Sequence, residues 1–503
     1  MSSDVHPGIH SHHARRSPLV WLAPVQAVCA FTVLAVISGG QILRSWILAL
    51  LFFVMAIPLL LGLEAGLFAI MIFEPFRGLV RRAQYLIVDY SQTDPIHVLT
   101  PLVTLLALSL LLQRQRFQLF RATPLAGAVS ILGAIFVLEI FNPLQGGLFV
   151  GLSGALLILV PVSWFYFGQA VNQRFVRVAF KIIVVLGLLT SLHGLYQLTY
   201  GYPRFEQYWL DHVEFYNAVA VGHTTRSLAT FSSAEEWGRY VVLGALIAFG
   251  FGAGANRFRR LGWFVCGGGL SAVLLVIGQR TAIFGLLAGF MTLVLFGARN
   301  IQGVAGRLLL LLTPLLLVAV LVKPPSTDEM WEKDESETVG AVLSHTQRGT
   351  LQPVSEESLF VRLEIWQSLI TEVIPYRPLG AGLGAGSLSE RKFSSDVQTP
   401  NSDNFVLVLA VACGIPGALV FVWILWRASL LAYSAARRAP PDTPDATISR
   451  IVAALMPVLV LNSFFGLTFS LYSVAPIAWL IIGWVSAEAG RAQDRDSLAT
   501  AIE

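Results

Sequence analysis

The sequence predicts an all-α polytopic membrane protein, and three observations carry that expectation. Hydrophobic residues fill 55% of the 503 positions and charged residues only 13%, with a mean hydropathy of +0.69, well outside soluble usage. Apolar runs long enough to cross a bilayer recur from end to end. Basic residues gather in alternate short loops. Because the apolar runs are continuous, a β-barrel, whose strands alternate in short segments, is disfavoured.

The first run, Leu19 to Ser38, follows Arg15 and Arg16 and reads as an uncleaved signal anchor, since no small-residue cleavage site follows it. The tail before it, residues 1–18, carries His6, His10, His12 and His13 and reads as a solvated cytoplasmic terminus. Further spans are read at 46–73, 97–113, 124–141, 148–167, 175–199, 237–255, 261–279, 281–298, 306–323, 403–427, 449–467 and 470–487, about 12–14 in all. The stretch 46–73 is too long for one span and is interrupted by Gly62, Glu64 and Gly66. Two short half-spans there would keep the N-terminus inside, with Arg77, Arg81 and Arg82 on the outer side.

Four loop clusters contain no acid: Arg114, Arg116 and Arg121; Arg174, Arg177 and Lys181; Arg257, Arg259 and Arg260; Arg299 and Arg307. The positive-inside rule assigns them to the cytoplasm. The outer side then receives loop 200–236 and the domain-sized loop 324–402, where 12 acidic residues face 6 basic ones. The order is a bundle over 19–323, the large outer loop 324–402, spans over 403–487 and a cytoplasmic tail 488–503. The acid run 328–337 is given no chemistry. Cys29, Cys266 and Cys413 all lie in apolar runs, and an odd count of this kind is no disulfide framework. A net charge of +4 that follows membrane sidedness gives no support for nucleic-acid binding.

Within this frame a few polar residues stand out. Arg280 is the only charged residue between Arg260 and Arg299. As one helix the interval 261–298 would measure about 57 Å, nearly twice a hydrocarbon core, so it folds into a hairpin with Arg280 at its outer tip. There the residue either marks the interface by snorkelling or binds an anion. Residues 356–374 read as an amphipathic helix with Leu359, Leu363, Trp366, Ile370 and Val373 on one arc, Arg362 inside that arc and Pro375 ending it. The alternating Gly380, Gly382, Gly384 and Gly386 suit a flexible connection or backbone amides brought close to a phosphate. Ser232 to Glu235 fits a capping box, with Glu236 and Arg239 paired one turn on. Asp403 and Asn404 open a span, either as caps or, for Asp403, as a base toward a sugar hydroxyl. Classical metal spacings and a Ser/His/Asp signature are absent from the sequence, so metal-independent chemistry without a cofactor is expected.

Taken in order, GQRTAIFG, FVRLEIWQSLI followed by RPLGAGLG, and SDNFVLVLAVACGIPG make residues 223 to 420 resemble the O-antigen ligase and polymerase superfamily of bacterial envelope enzymes. The resemblance implies a GT-C-like architecture in the bacterial inner membrane, an undecaprenyl-diphosphate-linked glycan as donor, and transfer at the outer face without a metal. It makes Arg280, Arg362 and Arg226 diphosphate ligands, Asp403 with Arg280 the catalytic pair, and Asn404, Trp366 and Glu236 glycan contacts. A chain-length regulator and a flippase are the implied partners besides the lipid bilayer. Ligases of the family carry a histidine where this chain has Asp403, which favours polymerisation of exopolysaccharide or O-antigen repeats over transfer to lipid A core. A polysaccharide or lipid-linked glycan transporter is the competing class. It would place charges deep in the bundle, whereas here they gather at its two surfaces.

Overall fold

The computed structural model describes residues 41–91, 94–114, 123–213, 220–221, 224–297, 357–387, 402–440 and 443–502, together with 28–29, 32–33, 390 and 400. The spans expected at 19–38 and 306–323, the histidine tail, the acid run and the clusters at Arg116, Arg121, Arg299 and Arg307 lie outside the described residues, apart from those four positions in the first span. What is described is a helical bundle, with one two-residue β-hairpin pairing Ala220–Val221 with Thr224–Thr225. Seven of the described helices are long and apolar enough to cross a membrane, and two shorter apolar helices accompany them.

In chain order the helices are α1 (Ile42–Leu61), α2 (Leu63–Phe73), α3 (Arg77–Gln84), α4 (Ile96–Arg114), α5 (Ala126–Ile140), α6 (Leu148–Ala170), α7 (Gln173–Tyr200) and α8 (Arg204–His212). They continue with α9 (Ala234–Ala253), α10 (Arg257–Ile277), α11 (Arg280–Gly297), α12 (Glu357–Ser368), α13 (Phe405–Arg438), α14 (Pro444–Phe464) and α15 (Ala475–Ile502). Asparagine, serine and threonine caps set several starts. Asn172, Ser233, Asn256, Asn404 and Thr443 each accept a backbone N–H from the first turn that would otherwise lack a partner. Close packing of α6 on α15 depends on Gly168 and Gly483, where an added Cβ would overlap the Leu480 and Phe165 carbonyl oxygens of the facing helix.

The two half-spans expected around residues 46–73 are two full-length rods. At Gly62 (φ 153°, ψ 164°) the chain reverses, and α2 continues through the 3₁₀ turn Glu74–Phe76 into α3, a rod of about 33 Å. One end of the bundle gathers Thr123, Gln169 and Ser486, with Gly254 against Thr447 and Asn172 bonded to Glu64. The opposite end gathers Arg77, Glu236 and Ser473, with the tip of the α10–α11 hairpin against Gly238. Most of the buried ions lie at this second end, called here the ionic end.

A second departure concerns α13, whose sequence reads as one span from 403 to 427. The Phe405 and Phe421 ring centroids are 5.2 Å apart, although sixteen residues of straight helix would separate them by about 24 Å. The chain therefore folds back at Gly414 (φ 69°, ψ 179°), and Pro416 lies two residues on. A short arm, 405–413, climbs to the elbow and the long arm descends beside it. Asp403 and Asn404 thus sit at the foot of the short arm, beside the Phe421 region of the long arm.

Candidate functional site

The glycine-rich segment after α12 is packed against this elbow and is not a flexible connection. All residues from Gly380 to Gly386 are buried, and their amides are consumed by protein acceptors. Ala381 and Gly382 donate to the Val411 and Ala412 carbonyls at 2.8 and 3.1 Å, carbonyls that the break at Gly414 releases from helix bonding. Leu383 donates to the Glu139 carbonyl at 3.1 Å, and Gly384 to Gln145 Oε1 at 3.1 Å. A segment whose amides are spent in this way has none aimed at a phosphate. It is a wedge that fixes the elbow, the kind of irregular backbone a membrane protein tolerates only inside protein.

Beside it, α12 ends in the π turn Leu369–Val373 and the 3₁₀ turn Ile374–Tyr376, and the extra residue per turn rotates its packed face. Leu369 and Ile374 are buried and Ile365, Trp366 and Val373 half-buried, whereas Phe360, Val361, Leu363 and Ile370 are exposed. The expected arc through Leu363 and Ile370 is therefore not the packed one. Trp366 packs on Phe465 with ring centroids 5.9 Å apart.

At the ionic end, the three arginines of α3 build a closed frame. Arg82 is 1% exposed; its Nε donates to Glu206 Oε1 at 2.9 Å and its Nη1 to the Phe231 carbonyl at 2.6 Å, with the Ala229 carbonyl as a third acceptor. Glu206 also accepts from Gln197 at 2.8 Å and faces His193 at 3.3 Å. Burial alone would raise the Glu206 carboxyl, but the His193 contact, the Arg82 charge and the Gln197 bond together outweigh it and hold the carboxyl below its ordinary value. Arg77 bridges Glu74 at 3.2 Å and Glu236 at 3.4 Å and meets His97 at 3.0 Å. Arg81 pairs with Asp94 at 3.4 Å and lies over the Trp209 ring. These contacts bind loop 227–233 to α3, where Leu79 N–H bonds the Thr230 carbonyl at 2.8 Å and the Thr230 hydroxyl bonds the Pro75 carbonyl at 2.5 Å.

That loop delivers α9, and its capping differs from expectation by one residue. Ser233, not Ser232, is the N-cap, accepting from Glu236 N–H at 3.1 Å, and Glu236 in return accepts from Ser232 N–H at 3.2 Å. Glu236 is 2% exposed and also holds Ser473 at 2.8 Å. Its expected pairing with Arg239 and its glycan contact give way to the frame. Arg239 pairs with Glu235 instead, one turn back.

Here the candidate site takes shape. Arg362 Nε lies 2.7 Å from Asp403 Oδ2, with the two side chains 50% and 30% exposed. Arg239, 2% exposed, feels the charges of Glu235, Asp403 and Arg362. Its guanidinium lies against Gly466, where an added Cβ would overlap Nη2. Gly466 in turn accepts the Phe405 N–H at 3.2 Å, which ties Arg239 to the foot of the short arm. Glu235, Arg239, Asp403 and Arg362 therefore form a group of alternating charge. Asn404 caps the arm by accepting from Leu407 N–H at 3.1 Å, which leaves the Asp403 carboxylate to Arg362. Asn404 is 5% exposed and its Oδ1 is committed to the cap.

Arg280 opens α11 after Gly278 (φ 72°) ends α10. It is half-buried, and its neighbour Gln279 lies against Gly238, the residue beside Arg239. Arg226 is also half-buried; its carbonyl accepts from the Tyr202 hydroxyl on the frame side. Among the described residues no three His, Cys, Asp or Glu side chains converge as a metal ion would require. Residues 264–422 match the family model described as O-antigen ligase.

This region is similar to O-antigen ligases.

The match supports a relationship to the O-antigen ligase and polymerase superfamily, whose members are glycosyl-transferring enzymes. The matched domain contains Arg280, Arg362, Trp366, Asp403 and Asn404 and ends inside the long arm of α13. Glu235, Arg239 and Arg226 precede it, so the charged group joins the matched region to α9 before it. No curated protein matches the chain. Sequence reasoning overlooked Arg239 as a member of the group. Its signal was an arginine five residues inside an apolar helix, a position that demands a partner.

Proposed function

We propose that the protein polymerises lipid-linked glycan. It joins undecaprenyl-diphosphate-linked oligosaccharide repeats into exopolysaccharide or O-antigen, at the outward-facing ionic end of a bundle in the bacterial inner membrane. The observation that carries this reading is the exposed 2.7 Å contact between Arg362 and Asp403. It sets a permanent cation suited to phosphate beside a carboxylate suited to a hydroxyl proton. An exposed pair of this kind contributes only about 0–1 kcal/mol, so an arriving diphosphate can recruit Arg362 at small cost and leave Asp403 free. Arg280, at the neighbouring hairpin tip, and Arg226 are the further diphosphate ligands. The exposed Phe360, Val361 and Leu363 around Arg362 give the isoprenoid tail an apolar surface.

In the reaction, an acceptor sugar hydroxyl attacks the anomeric carbon of the donor. A new glycosidic C–O bond forms as the bond from that carbon to phosphate oxygen breaks. The hydroxyl proton passes to Asp403, and the bonding electrons leave with undecaprenyl diphosphate, whose growing charge the guanidinium groups stabilise. This route needs no metal. The family description favours a second reading, transfer of the finished glycan to lipid A core or another acceptor. Purified protein given lipid-diphosphate-linked oligosaccharide separates the two. Longer lipid-linked chains support polymerisation, and product formed only when a core acceptor is added supports ligation. Neither product in either mixture contradicts glycosyl transfer.

A further inference from the structure

We propose that Glu235 receives the acceptor sugar, accepting a hydrogen bond from one of its hydroxyls, and that Arg239 is the positioning residue that aims it. The inference rests on the glycosyl-transfer reading and adds an acceptor subsite on α9, outside the matched domain.

The capping register is the first support. Since Ser233 and Glu236 cap α9 between them, Glu235, in the first turn, makes no capping hydrogen bond, and its side chain is 33% exposed. The second support is Arg239, whose only described partner is Glu235. The guanidinium is buried, and beyond that ion pair none of its nitrogens finds a hydrogen-bond acceptor among the described residues. A buried guanidinium with one carboxylate partner holds that carboxylate firmly. It contacts Oε1, and no described group bonds the other oxygen. The third is the arrangement of the group. Glu235, Arg239, Asp403 and Arg362 alternate in sign, and of the two exposed carboxylates Asp403 is paired with the exposed Arg362 whereas Glu235 is held only by the buried Arg239. A diphosphate suits the exposed cation, whereas a sugar, rich in O–H donors, suits the Glu235 carboxylate. Asp403, the proton acceptor, pairs directly with Arg362 and feels the charge of Arg239. Gly466 ties the two parts together, since it has no Cβ to obstruct Arg239 and its carbonyl holds Phe405 N–H.

The test uses the full-length protein in lipid nanodiscs. The donor probe is a lipid-diphosphate-linked oligosaccharide, and the acceptor probe is a soluble oligosaccharide of the same repeat. Glu235→Gln keeps the shape and removes the charge-assisted bond, so KM for the acceptor rises about tenfold or more while KM for the donor stays within about twofold. Arg362→Gln gives the mirror image, raising donor KM. Arg239→Met lowers kcat and raises acceptor KM, and Arg239→Lys restores part of both. If Glu235→Gln fails to accumulate, Glu235→Asp, which withdraws the carboxylate by one methylene, carries the same expectation. An unchanged acceptor KM, or a donor KM that rises in step with it, overturns the proposal. Absence of turnover in the unmodified protein would instead overturn glycosyl transfer itself, and the two failures are therefore distinguishable.

Discussion

Two groups of arginines and carboxylates lie at the same end of this bundle, and they are built for opposite purposes. Around Arg82 and Glu206 every charge is buried and closed upon by protein: the side chains are 1% and 0% exposed, and Arg82 has three acceptors. Around Arg362 and Asp403 the pair is open, 50% and 30% exposed. The same ion pair is a fixture in the first group and a receptor in the second. Burial and saturation decide which, because a buried charge cannot be released cheaply and an exposed one can. Arg239 stands between the two types, being buried like the fixtures but engaged by one partner among the described residues.

The largest expected effect tests the closed group. Arg82→Ala removes the buried cation paired with Glu206, strips the Phe231 carbonyl of its donor and leaves the Ala229 carbonyl to Gln197 alone. It should cost about 3–5 kcal/mol, read as a large fall in melting temperature in detergent and in membrane abundance. A milder lesion of the scaffold is Gly414→Ala, which puts a side chain at φ 69° and against the Leu379 backbone. About 2–3 kcal/mol is expected, with loss of the elbow that carries Asp403. Arg362→Ala should sharpen the contrast, since the open pair contributes at most about 1 kcal/mol to stability. Its melting temperature should stay near that of the unmodified protein while turnover collapses. If Arg362→Ala were as destabilising as Arg82→Ala, the distinction between fixture and receptor would fail.

The smallest effect is a pH dependence. Glu206 has its folded pKa below the ordinary carboxyl value of about 4.3. Its contribution is therefore complete above that ordinary value and is lost as pH falls through the lower, folded one. Melting temperature should drop on acidification below about pH 4, and Glu206→Gln, weaker at neutral pH, should show a flatter acid limb. An identical acid limb in the variant would remove Glu206 from the account.

How much of this could be read from the residues depends on the distance over which each feature is determined. Spans are set by local apolar length, and the Arg280 hairpin tip follows from length alone, so both were legible, as was the break at Gly62. The elbow was not, because Gly414, Pro416 and Gly417 lie in a run apolar enough to pass for a straight span. Only the Phe405–Phe421 contact reveals the reversal. The register of the α9 cap was ambiguous, since Ser232 with Glu235 and Ser233 with Glu236 both have the required spacing. The partners of Arg77, Arg81 and Arg82 come from four separate segments of chain, information that sequence spacing does not carry. The glycine segment after α12 was misread for a related reason: what its amides bond depends on carbonyls that a distant kink sets free.

The central claim is that Asp403 takes the acceptor proton while Arg362 and its neighbouring arginines hold the diphosphate. The most direct measurement is turnover and donor binding by Asp403→Asn, a near-isosteric change that keeps a hydrogen-bonding partner for Arg362. The account predicts that lipid-diphosphate-linked oligosaccharide still binds, with affinity within a few fold of the unmodified protein, while product formation is abolished. Normal turnover in Asp403→Asn would contradict it and leave Asp403 no more than the residue before a helix cap.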